Sequence, residues 1–296
     1  MRSGILLVDK PQGLTSHDVV ARTRKAAVTR KVGHAGTLDP MATGLLVLGL
    51  NSSTRLLTYL VGLDKEYFAT IRLGVSTDSD DADGSVVSTR STHEVTDAAI
   101  EAGVAKLRGP ISQVPSTVSA IKVDGKRAYA LAREGEEVVL KARPVTISAF
   151  EVLDVSRDQQ TGTVDLNVRV ECSSGTYIRA LARDLGADLG VGGHLTALRR
   201  SRIGPFAIDD AHVLEGMDVE GALISPAAAA SALFAEVELS DQQALELTQG
   251  KRFEVDAPDG SPVAAVTASG RLVGLVTIAS GRVKTLVNFP TDEALP

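Results

Sequence analysis

Asp64 to Gly74 reads DKEYFATIRLG. Tyr67, Ala69, Ile71 and Leu73 fall on one side of an extended chain, and Phe68, Thr70 and Arg72 on the other. A period of two marks a half-buried strand. Upstream, Gly4 to Val8 (GILLV) has strand length and ends in the turn cluster Asp9 to Gly13. Thr15 followed by Asp18 predicts a capping box and a helix to about Val28. Gly33 to Gly44 is a loop, Leu45 to Leu50 a buried strand, and Ser52 or Ser53 is expected to cap a helix to about Leu60. Downstream, Asp78 to Gly84 is an acidic turn and Thr96 caps a helix through Leu107. Ala128 to Glu134 reads as a short helix, Val145 to Val155 and Thr163 to Cys172 as strands. Ile178, Leu181, Leu185 and Leu189 mark a further helix. Strands and helices mix without a regular βαβ alternation, so the class is α+β, not a doubly wound fold.

The chain has 296 residues, enough for about two domains and a real core. The composition changes after Phe206: residues 211–236 are Ala-rich and helical or linker-like, and 237–296 look mostly β. Cys172 is the single cysteine, which excludes an internal disulfide framework and a multi-cysteine metal site. The five histidines show no local metal-binding spacing. No apolar run approaches the roughly 18 residues of a membrane helix, and Ile5 to Val8 is too short for a signal-peptide core. A soluble, cytoplasmic protein is the expectation.

Net charge is −6, but it is segregated: residues 1–60 hold eight Lys and Arg against three acids. That basic fifth is either an ordinary solvated surface or a phosphate-binding face hidden by the whole-chain total.

Chemistry concentrates in GHAGTLDPMATGLLVLG, Gly33 to Gly49. Asp39 before Pro40 is a good local turn or cap residue and equally a candidate catalytic carboxylate. His34 supplies a titratable ring. The Gly-Lys-Ser/Thr of a phosphate-cradling P-loop is absent. The second candidate is Arg179 in CSSGTYIRALARDLG, Cys172 to Gly186. If Thr176 caps that helix, Arg179 lies in the first turn against the positive end of the helix dipole, and either a carboxylate or a phosphate should compensate it, unless it is a surface arginine reaching solvent past the helix end. Arg183, one turn on, suits pairing with a nearby acid, and Cys172 a small buried hydrophobe. Tyr67 is either core or a platform on which a base stacks.

Taken together, these strings resemble the bacterial tRNA pseudouridine synthases of the TruB type. The resemblance is carried in order by GILLVDKPQGLTSHDVV (Gly4 to Val20), GHAGTLDPMATGLLVLG, DKEYFATIRLG, PSTVSAIKVDGKRAYALAREG (Pro115 to Gly135) with ARPVTISAFEVL (Ala142 to Leu153), CSSGTYIRALARDLG and HLTALRR (His194 to Arg200). It covers about residues 4–206.

What it implies is a mixed, largely antiparallel sheet flanked by helices, and isomerisation of uridine 55 in the tRNA T loop to pseudouridine after base flipping, with no cofactor and no metal. The resemblance puts the catalytic aspartate on Asp39 and substrate contacts on Tyr67, Arg179, His34, Tyr177 and Leu198. Lys10 and Pro11 are expected to brace the loop beneath the site. Arg22, Arg24, Lys25, Arg30, Lys31, Lys122, Lys126 and Arg127 are candidates for RNA phosphates. The organisation it implies is a catalytic domain over 1–210 with an RNA-gripping insertion at about 115–145, a helical linker at 211–236, and a small β domain of the PUA type at 237–296. That last segment carries five basic and eight acidic residues, a poor electrostatic case for strong RNA binding.

The expected partner is the tRNA T-arm, met by a monomer with no guide RNA and no membrane. Two other classes compete: a guide-dependent relative resembling dyskerin, and an RNA chaperone in which Asp39 is dispensable. An aspartate-dependent hydrolase would need a base partner that the sequence does not provide.

Overall fold

The computed structural model describes residues 2–119, 122–123, 126–127 (backbone only) and 140–289. It divides into two compact units, one of 1–40, 44–61 and 204–296, the other of 41–43 and 62–203.

In the first unit the strand Gly4–Lys10 pairs antiparallel with Thr43–Leu50, which pairs in turn with Val32–Ala35. His212–Val213 runs parallel on the other side of Gly4–Lys10. The continuous apolar runs predict strands covered on both faces, and Ile5 to Val8 and Leu45 to Leu48 are all buried. The helix Ser16–Ala26 begins with the expected capping box, Thr15 and Asp18 each bonding the other's backbone N–H. Val19, Val20 and Ala27 pack on Leu6, Val8, Leu46, Leu48 and Leu50. Each such buried aliphatic side chain contributes about 2 kcal/mol.

The helix ends at Ala26, two residues short of the expected Val28, because Val28 has a left-handed φ of 48°. Ser52 and Ser53 do not cap a helix. They lie inside a 3-10 turn, Asn51–Leu56, that leads into the helix Leu57–Val61, and the backbone N–H and hydroxyl of Ser52 both bond Ser3 Oγ.

The stretch 211–236 packs as well as connects. Val219 joins the N-terminal core, Ile224 exchanges both backbone hydrogen bonds with Ile5, and Ser225 caps the helix Pro226–Ser231. Beyond it, Ala235–Leu239, Gly260–Thr267, Leu272–Ala279 and Arg282–Asn288 form a four-stranded sheet. The helix Asp241–Thr248 closes the core of that sheet through Ala244 and Leu247.

In the second unit five antiparallel strands lie side by side: Gly193–Ile203, Lys65–Leu73, Thr163–Cys172, Arg143–Asp158 and Gly109–Gln113. The alternating strand sits inside this array, with Tyr67, Ala69, Ile71 and Leu73 buried and Phe68 exposed. The helix Ile178–Asp188 packs on it and on Gly193–Ile203. Gly186 permits that approach, since a Cβ there would stand 2.2 Å from the carbonyl carbon of Gly192. The short helix expected at Ala128 to Glu134 lies outside the described residues. No helix among the described residues is long and apolar enough to cross a membrane.

The opposite face of this sheet carries a charge ladder. Arg169 makes a bidentate pair with Glu151 at 2.7 and 2.9 Å, and its Nη1 also reaches Glu66 (2.8 Å) and Glu171 (2.6 Å). Glu66 and Glu171 are directly opposed across the strands, so the guanidinium separates like charges. Burial pushes the Glu66 carboxyl up, but the Ser201 hydroxyl and Arg169 outweigh it and hold it below the usual glutamate range. Arg169 holds Glu151 low as well. Acids depressed on folding add stability that is present above their unfolded pKa and is lost as pH falls through their folded pKa. Arg169→Met is therefore expected to lower the unfolding midpoint at neutral pH in urea titrations. Below the ordinary glutamate range the variant and the parent should converge.

Candidate active site

In the first unit, Asp39 lies at the tip of the hairpin joining Val32–Ala35 to Thr43–Leu50. Gly36, at φ 84°, turns the chain out of the first strand. The backbone on both sides of Asp39 is pinned from below. The buried Ser16 hydroxyl accepts from Leu38 N–H at 2.9 Å and donates to Leu38 C=O at 3.2 Å. Gly13 N–H donates to the Pro40 carbonyl at 2.8 Å. Lys10, fully buried, donates through Nζ to the carbonyls of Leu14 (2.7 Å), Pro11 (3.0 Å) and Pro40 (3.4 Å). This is the brace the sequence led us to expect of Lys10. Asp39 itself is half-buried, between two neighbours whose backbones are held by these bonds.

His34 stands on the first strand of that hairpin, paired with Leu48, and its ring meets that of His17 edge-on at 5.6 Å. His17 lies within the string GILLVDKPQGLTSHDVV, but the sequence does not single it out as a site residue. It is found only because the capped helix sets its first turn beside the hairpin.

The arrangement makes Lys10 a sensitive test of loop support. Lys10→Met removes the Nζ donor from the carbonyls of Leu14 and Pro11, while Pro40 keeps the Gly13 N–H, with an expected loss of about 2 kcal/mol in stability. Thermal unfolding of the variant beside the parent checks it.

In the second unit, Arg179 is 3% exposed on the first turn of Ile178–Asp188. Thr176 does not cap this helix. Its hydroxyl turns back to the Ser173 carbonyl at 2.9 Å, and the N-cap residue is Tyr177. Gln113 holds Tyr177 instead, accepting from its N–H at 2.8 Å and donating to its carbonyl at 3.0 Å. Arg143 lies over the Tyr177 ring at 4.9 Å.

The anion that a first-turn cation demands is supplied within this unit by Asp81, whose Oδ2 is 3.4 Å from Arg179 Nη1. Asp81 is 5% exposed and accepts from the Ser79 hydroxyl and the Asp83 N–H. Arg179 also donates to the carbonyls of Ser79 and Val118, both at 2.7 Å. One turn on, Arg183 bonds Asp184, reaches Asp80 at 3.2 Å and donates to the Val114 carbonyl at 2.7 Å. Two arginines of one helix thus hold both the acidic loop and the chain leading to residue 119. Burial is the main cause that pushes the Asp80 carboxyl above its usual range, against the pull of Arg183 and Arg179.

Asp81 and Gln113 were missed. The signal for Asp81 was the run DSDDADG, Asp78 to Gly84, which resembles any solvated turn until a buried cation needs a partner.

Tyr67 is 7% exposed, opposite Arg200 and Val170. Leu198 faces Ala69 on the neighbouring strand, diagonal to Tyr67 on the same side of the sheet. On that face lies Lys65, 6% exposed, its pKa lowered to about 8 chiefly by burial and then by Arg200. Of the phosphate candidates, Arg22, Arg24, Lys25, Arg30 and Lys31 are exposed in the first unit. Lys122 and Arg127 pair across a short hairpin, as do Val123 and Lys126, and their side chains lie outside the described residues.

Residues 24–178 match the model of the TruB family pseudouridylate synthase N-terminal domain. Residues 179–238 match the tRNA pseudouridylate synthase B C-terminal domain, and 234–290 the C-terminal region of tRNA pseudouridine synthase II. A tRNA pseudouridine synthase B from Leifsonia xyli subsp. xyli is 59% identical over 297 residues, covering 98% of each chain. One from Thermobifida fusca is 51% identical over 98% of this chain and 99% of the relative. Among solved structures, a chain of an H/ACA ribonucleoprotein bound to a substrate RNA containing 2′-deoxyuridine superposes with a TM-score of 0.71 at 25% identity, over 98% of this chain and 86% of that one.

Proposed function

The chain belongs to the TruB family of pseudouridylate synthases and forms pseudouridine in tRNA, and from that premise we propose that its target is uridine 55 of the T loop, with Asp39 as the reacting carboxylate. The observation that supports this role is the pinned tip of the hairpin: the neighbours of Asp39 are fixed through backbone bonds, and Asp39 between them is half-buried.

The reaction breaks the bond from C1′ to N1 of uracil and forms one from C1′ to C5. The C5 proton leaves and N1 gains one, so no atom is added and no electron is transferred. A carboxylate serves in either of two ways, adding to C1′ as nucleophile or taking a proton from the sugar as base, and both routes return it unchanged. Tyr67 stacks on the uracil, and its phenol oxygen assists removal of the C5 proton. A uridine stacked in the T loop must be everted first, and His34 takes up the space it leaves. Arg179 contributes positive charge that favours an ionised carboxylate. Tyr177 and Leu198 wall the uracil pocket. The exposed cations from Arg22 to Lys31, with Lys122, Lys126 and Arg127, take phosphates, while loop shape gives selectivity. Residues 1–210 hold the chemistry, and 237–296 form an accessory module of the PUA type.

The test uses the purified chain alone, in the cytosolic salt range, on a tRNA transcript tritiated at uracil C5. We expect release of one tritium per tRNA and pseudouridine mapped to position 55. Release from another position overturns the target, and release only after a guide RNA is added overturns stand-alone action.

A further inference from the structure

The chain leaving the helix Ser16–Ala26 closes a Schellman turn. Thr29 N–H donates to the Arg24 carbonyl at 3.2 Å and Val28 N–H to that of Lys25 at 3.4 Å. That motif requires a left-handed residue at the position Val28 occupies, where glycine or asparagine is the ordinary solution. Val28 sits there at φ 48°, and it is 90% exposed. A β-branched side chain in this conformation is strained, and here no packing of the isopropyl group offsets the strain.

The turn is also locked. Thr29 Oγ1 donates to Asn51 Oδ1 at 2.7 Å, Asn51 N–H to the Lys31 carbonyl at 2.8 Å, and Arg24 Nη2 to the Val32 carbonyl at 2.9 Å. Around the exposed tip stand Lys25, Arg30 and Lys31, all exposed. Between Asp18 and Asp39 the sequence contains five cations and no acid. A strained, fully presented apolar group on a rigid turn among cations is a pattern that function explains and stability does not.

We propose that this turn is a preformed contact for the sugar–phosphate backbone of the tRNA, in which Val28 packs on a ribose and Lys25, Arg30 and Lys31 hold the phosphates beside it. Ribose faces lie open along the shallow minor groove of an A-form stem, within reach of a short aliphatic tip. The assignment rests on the proposal that the cations from Arg22 to Lys31 face RNA, and adds to it an apolar specificity element.

Two substitutions separate contact from accident. Val28→Asn suits the left-handed turn and removes the isopropyl group, whereas Val28→Ile keeps both strain and apolar tip. Affinity for tRNA transcript is measured in an Asp39→Asn background, so that no turnover intervenes. We expect Val28→Asn to raise Tm by about 2 °C. It should also weaken tRNA binding about fivefold with an unchanged salt slope, as loss of one partly buried aliphatic group implies. Val28→Ile should bind as the parent does. Lys25→Ala and Lys31→Ala should each reduce the salt slope by about 0.9.

Equal affinities for the parent and Val28→Asn overturn the proposal. So does a fall in Tm for Val28→Asn, which removes the premise of strain. A salt slope that ignores both lysines places the RNA elsewhere and overturns the phosphate contacts. Pseudouridine mapping of the catalytically intact enzyme is scored independently, so an error in the target position leaves a different signature from an error in this contact.

Discussion

Asp39→Asn is expected to reduce pseudouridine formation in tRNA by at least about a thousandfold, while its tRNA dissociation constant stays within about twofold of the parent. The substitution is nearly isosteric. The bonds that fix this tip run through the backbone of Leu38 and Pro40 to Ser16, Gly13 and Lys10, so the hairpin should keep its course. What changes is charge and nucleophilicity. An amide neither adds to C1′ nor removes a proton from the sugar, so the prediction is the same for both mechanisms. Tritium release under single-turnover conditions, with filter binding on the same preparation, measures the two quantities together. Conversion above about one hundredth of the parental rate would mean that some other group reacts.

How far the sequence alone reaches can be seen element by element. The alternation from Tyr67 to Leu73 and the Thr15–Asp18 box were legible because each is a local pattern with one physical solution. Three errors share a cause. The helix end at Val28, the cap assigned to Thr176 and the cap assigned to Ser52 or Ser53 were judged on local preference. In each case a partner distant in sequence takes part in the outcome: Asn51 bonding Thr29 and Lys31, Gln113 holding Tyr177, Ser3 receiving Ser52. The candidate residues were visible as motif strings, and the need for an anion near Arg179 followed from the helix dipole alone. That Asp81 supplies one within the same unit was not visible, since no local rule marks one acid out among those from Asp78 to Asp83.

That pair yields the second large effect. Arg179 and Asp81 are 3% and 5% exposed, so each is a desolvated charge that depends on the other. Removing one partner from a buried pair costs about 3–5 kcal/mol, because the survivor remains charged in a dry place. Arg179→Met should lose stability on that scale, and the carbonyls of Ser79 and Val118 lose their donor too. Activity should fall at least about a hundredfold, since the proposed site loses its positive charge. A stability loss alone could explain such a fall, so the double variant Arg179→Met with Asp81→Asn decides. The amide introduced by Asp81→Asn is neutral and retains an oxygen for the Ser79 hydroxyl and Asp83 N–H, so the Arg179–Asp81 pair leaves neither of its own charges behind. We expect the double variant to regain at least half of the lost stability in urea titrations while staying inactive on tRNA. Recovery of activity along with stability would make Arg179 a structural brace and remove it from the uridine's electrostatic surroundings. Because helix Ile178–Asp188 also grips the chain at Val114 through Arg183, the fold should survive either substitution, which keeps the comparison interpretable.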